Sequence, residues 1–391
     1  MNPTFLTGLT PGVHVNLVSV LLISVSGYLL GIASPITLAV FIIAMAITHT
    51  FLDSIPSIFL GAPDADMALG VLPGHRMLLE GKGYEAVKLT VIGSLLALIA
   101  TLFLIPIMIP FVPKIYSFIQ PYIGYILIFV VVYMIIQEKK IDKITWSSFV
   151  FFISGILGII VLGWNNLNQP LFPMLSGLFG ISTLLVSLLQ NTKIPKQNIT
   201  ETIEVGFFEK VRAVGAAVFS GSLTGLMPGL GAAQAAIIAM QLVGNISVYG
   251  FMILIGGINT VNFTFSLVTL FTLQKARNGA VVAILEIVKK ISFEQLLIFL
   301  FAALVAGCIA ALLALFFAKI FSKLIVKLNY RKLVIGIISF ITIMVIYFSG
   351  IIGLLILITS TAIGIIPGLL GVKRSHAMGC LLLPVILFFV I

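Results

Sequence analysis

The sequence predicts an all-α polytopic membrane protein of about 10–12 transmembrane helices in two related halves, each with a Gly/Pro-broken or re-entrant helix. Composition is the first reason, because 60% of the 391 residues are hydrophobic and 9% are charged, against about 25% charged in a soluble domain. The second reason is the distribution of the charges, which leaves long uncharged runs such as 1–52, 144–192 and 213–274. A spanning helix needs about 20 residues, so a soluble enzyme of this composition is excluded.

The apolar runs are predicted to be helices. They are too long for strands and show no alternation, and in hydrocarbon each backbone polar group must be paired within its own segment. The apolar segment that follows the N-terminal residues lacks the layout of a signal peptide and is expected to be a retained span. The predicted spans are 14–32, 36–60, 84–112, 115–136, 145–163, 170–189, 211–245 (broken), 248–273, 293–318, 333–349, 351–371 and 376–391.

The longest hydrophilic stretch divides the chain. It predicts an N-terminal transmembrane half at 1–190, a linker at 191–210 and a C-terminal half at 211–391. Basic residues at 138–143 and 193–196 predict cytoplasmic loops of a protein integral to the cell membrane. The net charge of +10 is thereby assigned to loops that face membrane lipid, and nucleic-acid binding is not expected.

Two apolar segments are interrupted by Gly and Pro, one in each half. The first interruption contains Gly61 and Pro63, and the second contains Pro228, Gly229 and Gly231. Proline stops a helix, glycine permits close approach, and the N-terminus of the next helix attracts an anion. Paired interruptions of this kind indicate a transporter substrate site. The candidate substrate-binding residues are Gly61, Pro63, Thr224, Pro228, Gly229, Gly231, Ala232, Gln234, Asn259 and Asn262.

The alternative is that the interruptions are only kinks and packing surfaces. Gly221 and Gly225 form a small-xxx-small pair that would let two helices approach closely. A third break, at Pro367 and Gly368, runs into basic Lys373 and is interpreted as a helix end at the membrane surface.

Three acids are predicted to lie at membrane depth: Asp53, Asp64 and Asp66. Each costs on the order of 3 kcal/mol there on insertion scales unless it is paired or hydrated. The functional interpretation is ion coupling with Na⁺ or H⁺, and the structural one is capping of the helix that follows Pro63. If an anion is carried, it is expected nearer Pro228, with the acids serving the coupling ion.

A polar stripe is predicted within the span 248–273. Asn259, Asn262 and Ser266 are spaced by three and then four residues, which places them on one helical face. The stripe either hydrogen-bonds to other helices or lines a polar pathway.

No catalytic motif is present, so the protein is not expected to be an enzyme, and no cofactor or metal is expected beyond a coupling ion. Cys308 and Cys380 match no metal or redox spacing. Two alternatives to a carrier of small anions remain open. One is a translocase for a lipid-linked phosphate, which a lateral opening between spans and a basic vestibule around His75 and Arg76 would favour. The other is a non-transporting membrane protein.

Three stretches resemble the large permease subunit (TctA type) of tripartite tricarboxylate transporters: 58–86, 171–182 and 225–233. Their order and spacing match over most of the chain, and Pro-Gly-x-Gly-Ala at 228–232 is the most specific part. The resemblance implies uptake of small carboxylates driven by an ion gradient, assisted by a small membrane subunit and an extracytoplasmic binding protein. It implies that Gly61, Pro63, Pro228, Gly229 and Gly231 form the two substrate-site breaks. The family usually reads Pro-Gly-Thr-Pro at the first break, where this chain has Leu-Gly-Ala-Pro at 60–63.

Overall fold

In the part of the chain that this computed structural model describes, all regular secondary structure is helical. The described residues are 8–9, 15, 18–19, 22, 26–61, 67–189, 194–200, 202–227, 230–327 and 329–391. The predicted span 14–32 therefore lies largely outside the described residues. So do five of the candidate site residues: Pro63, Asp64, Asp66, Pro228 and Gly229.

The helices follow the apolar runs, and the bounds are as follows. They are α1 Ser26–Leu29, α2 Pro35–Leu52, α3 Ser54–Phe59, α4 Val71–Leu79, α5 Gly83–Met108, α6 Val112–Ile119, α7 Ile123–Ile136, α8 Ile141–Leu162, α9 Leu171–Leu175, α10 Ser182–Leu189, α11 Phe207–Leu226, α12 Ala232–Val243, α13 Val248–Leu273, α14 Gly279–Val288, α15 Phe293–Ile325, α16 Tyr330–Leu370 and α17 Gly379–Val390. A π-helical stretch, Ser176–Ile181, joins α9 to α10. Within the described ranges, 7 helices are long and apolar enough to cross a membrane, which confirms a polytopic membrane protein.

Two helices of equal length, α5 and α13, form the centre of the molecule and begin on the same side. Each has 26 residues, and Tyr249 Oη at the start of α13 donates to Glu85 Oε2 at the start of α5 at 2.9 Å. The two helices cross in direct backbone contact, because a Cβ on Gly93 would lie 1.9 Å from the Ile253 carbonyl oxygen. Small residues therefore make the central crossing possible.

The segment predicted as a broken span at 211–245 is a re-entrant hairpin. It consists of α11 and α12, which pack on each other. Near its open end the Arg212 guanidinium donates to the Val243 carbonyl oxygen, and Glu209 Oε1 accepts from Ser247 N–H at 2.8 Å. Because the start of α11 and the end of α12 meet, both lie on the side of the membrane where α13 begins.

Helix α16 consists of two arms separated by a sharp break. Gly350 has φ 66° and ψ −160°, which interrupts the helix. Ser349 Oγ beside this turn donates to the Asn168 carbonyl oxygen beyond the end of α8. The far end of the second arm, at Leu370, accepts from Lys143 at the start of α8. The predicted boundary between spans 333–349 and 351–371 is therefore confirmed.

The hydrophilic stretch between the halves lies against the first half as an extended strap, 194–200. The Gln197 side chain bridges α4 and α5, since Oε1 accepts from Gly83 N–H at 2.9 Å and Nε2 donates to the Leu78 carbonyl oxygen at 3.0 Å. Thr200 Oγ1 donates to Glu85 Oε1 at 2.9 Å. The strap thus covers the end of α4 and the start of α5, on the side where α13 also begins.

Candidate functional site at the two helix breaks

The first break follows α3. The helix ends at Phe59, and Gly61 has φ 62°, a left-handed conformation that glycine adopts at low cost. The chain resumes as a 3₁₀ turn, Ala68–Gly70, and then α4. His75 on α4 contacts the Ile58 carbonyl oxygen through Nδ1 at 3.0 Å, and burial lowers the pKa of this histidine. The apolar helix thus ends ahead of Pro63, which lies outside the described residues, and α4 packs against α3.

The second break lies at the tip of the re-entrant hairpin. Helix α11 ends at Leu226, Met227 is extended with φ −96° and ψ 133°, and α12 begins at Ala232. Gly221 and Gly225 pack directly on α13, because a Cβ on Gly225 would lie 3.0 Å from the Asn262 carbonyl oxygen. The close packing expected of this small-residue pair is therefore confirmed, and it exists beside the break rather than in place of it.

Gln234, a candidate substrate ligand, closes the N-terminus of α12. Its Oε1 accepts from Gly231 N–H at 3.0 Å, and the residue is 4% exposed. A side chain that satisfies one of the unpaired N–H groups of a first turn stabilises that helix end. The Gln234 Oε1 atom is thus already occupied by a hydrogen bond from the backbone at the second break.

We expect Gln234→Leu to lower the free energy of unfolding by about 1 kcal/mol, because Gly231 N–H loses its acceptor. The matched control is Gln241→Leu in the same helix, since Gln241 Oε1 accepts no hydrogen bond from any described residue. Thermal unfolding of the detergent-solubilised variants measures the difference. Equal unfolding temperatures for the two variants would show that the Gln234 contact does not stabilise the break.

The predicted acid Asp53 lies in the protein interior at the junction of α2 and α3. It is 1% exposed, and its Oδ2 accepts from Asn259 Nδ2 on α13 at 2.5 Å. One turn earlier, the Thr50 and Thr260 hydroxyl groups are 3.1 Å apart. These contacts join α2 to α13 through polar groups, as a carboxylate buried among apolar helices requires.

The other predicted asparagine, Asn262, faces the second break. Thr224 Oγ1 donates to the Ser220 carbonyl oxygen of its own helix at 3.0 Å and lies 3.4 Å from Asn262 Oδ1. Thr269 Oγ1, on the same helix as Asn262, donates to the Gly225 carbonyl oxygen at 2.9 Å. The polar stripe of α13 therefore contacts the first half through Asn259 and the second half through Asn262. Thr50 and Thr260 belong to the same polar region but were not among the predicted residues, because threonine is common in apolar helices and leaves no distinctive pattern.

The segments that follow the two breaks contact each other. The turn Ala68–Gly70 packs on both α12 and α13. Beside this contact lies a cavity of about 230 Å³ whose walls include Leu69 after the first break, Met240 after the second and Phe251 on α13. Lys373 and Arg374 line the cavity on another side, just after the helix end at Leu370 that the sequence predicts.

The basic vestibule expected of a lipid-phosphate translocase is not formed by His75 and Arg76. His75 is 2% exposed and faces α3. Arg76 extends to the surface, where its Nε lies 3.3 Å from Glu80 Oε1. The two side chains point to different environments, and nothing in their geometry favours that alternative.

Comparison with known proteins agrees with this architecture. A family model described as "Tripartite tricarboxylate transporter TctA family" matches residues 4–379. An uncharacterized protein of Methanocaldococcus jannaschii is 31% identical over 399 residues, covering 98% of this chain and 96% of the relative. No solved structure matches. The chain is an integral multi-pass membrane protein, and it belongs to the tripartite tricarboxylate transporter TctA family.

Proposed function

We propose that this protein is a secondary active transporter that carries a small organic anion, such as a di- or tricarboxylate, by alternating access. Uptake is coupled to a gradient of Na⁺ or H⁺. The membership of a transporter family supports a transport role, and the specific proposal rests chiefly on one observation. A buried carboxylate, Asp53, and a re-entrant break, at Thr224, contact neighbouring turns of one helix, α13.

The coupling ion is assigned to the acids of the first break. Of these acids, Asp53 lies among the described residues, and Asp64 and Asp66 are the other candidate ligands for the coupling ion. A cation or proton that reaches Asp53 competes with Asn259 Nδ2 for the same carboxylate oxygen. Because Asn262 lies one turn further along α13, a change at Asn259 alters the surface on which the hairpin rests.

The anion is assigned to the second break. Gly229, Gly231 and Ala232 carry no bulky side chains that would shield the first N–H groups of α12, and helix N-termini favour anions. The contact between Thr224 and Asn262 is long, at 3.4 Å, and Gly221 and Gly225 present a smooth surface to α13. A shift of the hairpin along α13 would exchange this contact and the hydrogen bond between Thr269 and Gly225, and such a motion is what alternating access requires.

Partner proteins are part of the proposal. The family description is tripartite, which supports a small membrane subunit and an extracytoplasmic binding protein that delivers the anion. Coupled uptake is therefore to be measured with and without such a binding protein.

Reconstitution in liposomes tests the proposed function. The purified protein is exposed to labelled di- and tricarboxylates under imposed Na⁺ and H⁺ gradients. We expect accumulation of at least one carboxylate that requires one of the two gradients and stops when an ionophore dissipates it. Equilibration without accumulation would contradict coupling, and the absence of carboxylate flux with the binding protein present would contradict the substrate class.

A further inference from the structure

The cavity beside the two breaks contains a positive charge, that of Arg374, with which no acid among the described residues forms an ion pair. Lys373 and Arg374 line it together with Thr183, Leu72 and Phe179. Of the lining residues within the described ranges, none is an acid. The cavity is therefore electropositive and otherwise mostly apolar, as expected of a binding site for a small anion.

The partners of Arg374 explain why this charge is available. The guanidinium donates to the Thr183 hydroxyl oxygen, and among the described residues no carboxylate forms an ion pair with it. A half-buried guanidinium with a hydroxyl group as its partner has lost part of its hydration without gaining an opposite charge. Its remaining N–H groups suit a carboxylate, which can accept two parallel hydrogen bonds from them.

The neighbouring acid, Glu138, is occupied elsewhere. Its Oε1 lies 2.9 Å from His376 Nε2 and accepts from Lys373 N–H at 3.3 Å. Partial burial alone would raise the pKa of Glu138, but these hydrogen bonds lower it overall. The ionised Glu138 therefore anchors the chain just before and after Arg374, while Arg374 itself extends towards the cavity.

The position of the cavity links it to the breaks. Leu72 follows the first break and Met240 follows the second, and both line the same space as Arg374. Phe251 lies near the start of α13, on the side where the re-entrant hairpin opens and where the basic loops predict the cytoplasm. A volume of about 230 Å³ suits a small organic anion, since pockets for drug-sized ligands are about 300–1,000 Å³.

We propose that Arg374, supported by Thr183 and Lys373, binds a carboxylate group of the transported anion at the cytoplasmic end of the pathway. This inference rests on the proposed function for the identity of the anion, and it assigns a second substrate contact, separate from the helix N-terminus at the second break. The hydrogen bonds between Arg374 and the carboxylate form transiently, when the hairpin exposes the anion to the cytoplasm.

The test combines binding and uptake for three variants. Binding of citrate, succinate and inorganic phosphate to the detergent-solubilised protein is measured by calorimetry for the wild type, Arg374→Gln and Arg374→Lys. Arg277→Gln is the matched control, because Arg277 is another partly buried arginine but lies beyond the opposite end of α13, 5.2 Å from the Tyr116 ring. We expect Arg374→Gln to weaken carboxylate binding at least tenfold, Arg374→Lys to weaken it less, and Arg277→Gln to leave it unchanged.

The outcomes separate this site from the proposed function. Wild-type uptake of carboxylates together with undiminished binding by Arg374→Gln would overturn the site and leave the function intact. Binding that depends on Arg374 without uptake under any gradient would support the site and contradict coupled transport. Phosphate binding stronger than carboxylate binding would overturn the assignment to a carboxylate, and a wild type that binds none of the three anions would overturn the site.

Discussion

Asp53→Asn is expected to abolish gradient-driven accumulation, with a loss on the order of 100-fold or more, while the protein still inserts and folds. The carbonyl oxygen of asparagine can accept the hydrogen bond that Asn259 Nδ2 donates to Asp53 at 2.5 Å, so the contact between α2 and α13 is retained. The negative charge is lost, and with it the group that would bind a cation or proton.

Stability distinguishes a coupling role from a structural one. A carboxylate at membrane depth costs on the order of 3 kcal/mol on insertion scales, and Asp53 is 1% exposed. If its charge serves transport rather than folding, Asp53→Asn should leave the unfolding temperature unchanged or raise it. A marked drop in the unfolding temperature would instead identify Asp53 as a structural residue.

The uptake measurement needs a control and a second assay. Asp142→Asn removes an exposed acid in the first turn of α8 and should leave uptake unchanged. Exchange of labelled for unlabelled anion across liposomes without an ion gradient separates binding from coupling, and Asp53→Asn is expected to retain this exchange. Accumulation at the wild-type rate in Asp53→Asn would remove this residue from the coupling mechanism.

Gly93→Ala is expected to have the largest effect on folding. A Cβ at this position would lie 1.9 Å from the Ile253 carbonyl oxygen, and a backbone atom in the second turn of α13 cannot move without displacing the helix. The two central helices would have to separate, at a cost of about 3 kcal/mol or more. We expect a sharply reduced yield of monodisperse protein and a lower unfolding temperature.

Gly215→Ala is the matched control for this substitution. Gly215 also lies within a helix, α11, but a Cβ there would meet nothing within 4 Å. The same added methyl group should therefore be neutral or stabilising by up to about 1 kcal/mol, because alanine favours the helical conformation. Similar behaviour of the two variants would show that α5 and α13 do not cross in backbone contact at Gly93.

Several elements of the fold could be predicted because their signals are local. The turn at Gly350 and both helix interruptions could be predicted from glycine and proline residues. The backbone preferences of these residues act within a few positions of the chain. The helices themselves follow from uncharged runs longer than a bilayer is thick. The polar stripe of α13 was predictable because side chains three and four residues apart share one helical face.

The contacts of the site could not be predicted, because they join distant parts of the chain. Nothing near Asp53 in the sequence identifies Asn259 as its partner, and periodicity does not reveal that Asn259 and Asn262 contact different halves. The segment 211–245 contains enough apolar residues for one crossing, and the contacts at its ends, Arg212 with Val243 and Glu209 with Ser247, identify it as a hairpin. Arg374 resembles an ordinary basic residue at a helix end until the cavity around it is known.

By itself, the sequence determined that this chain is a helical membrane protein with two interrupted helices, since hydrophobicity and backbone restriction are properties of residues and their immediate neighbours. Only the tertiary structure decided which acid meets which amide, which basic group enters a cavity and where a helix turns back. These depend on packing between segments far apart in the chain, where the free energy comes from burial and hydrogen bonds that no local pattern encodes.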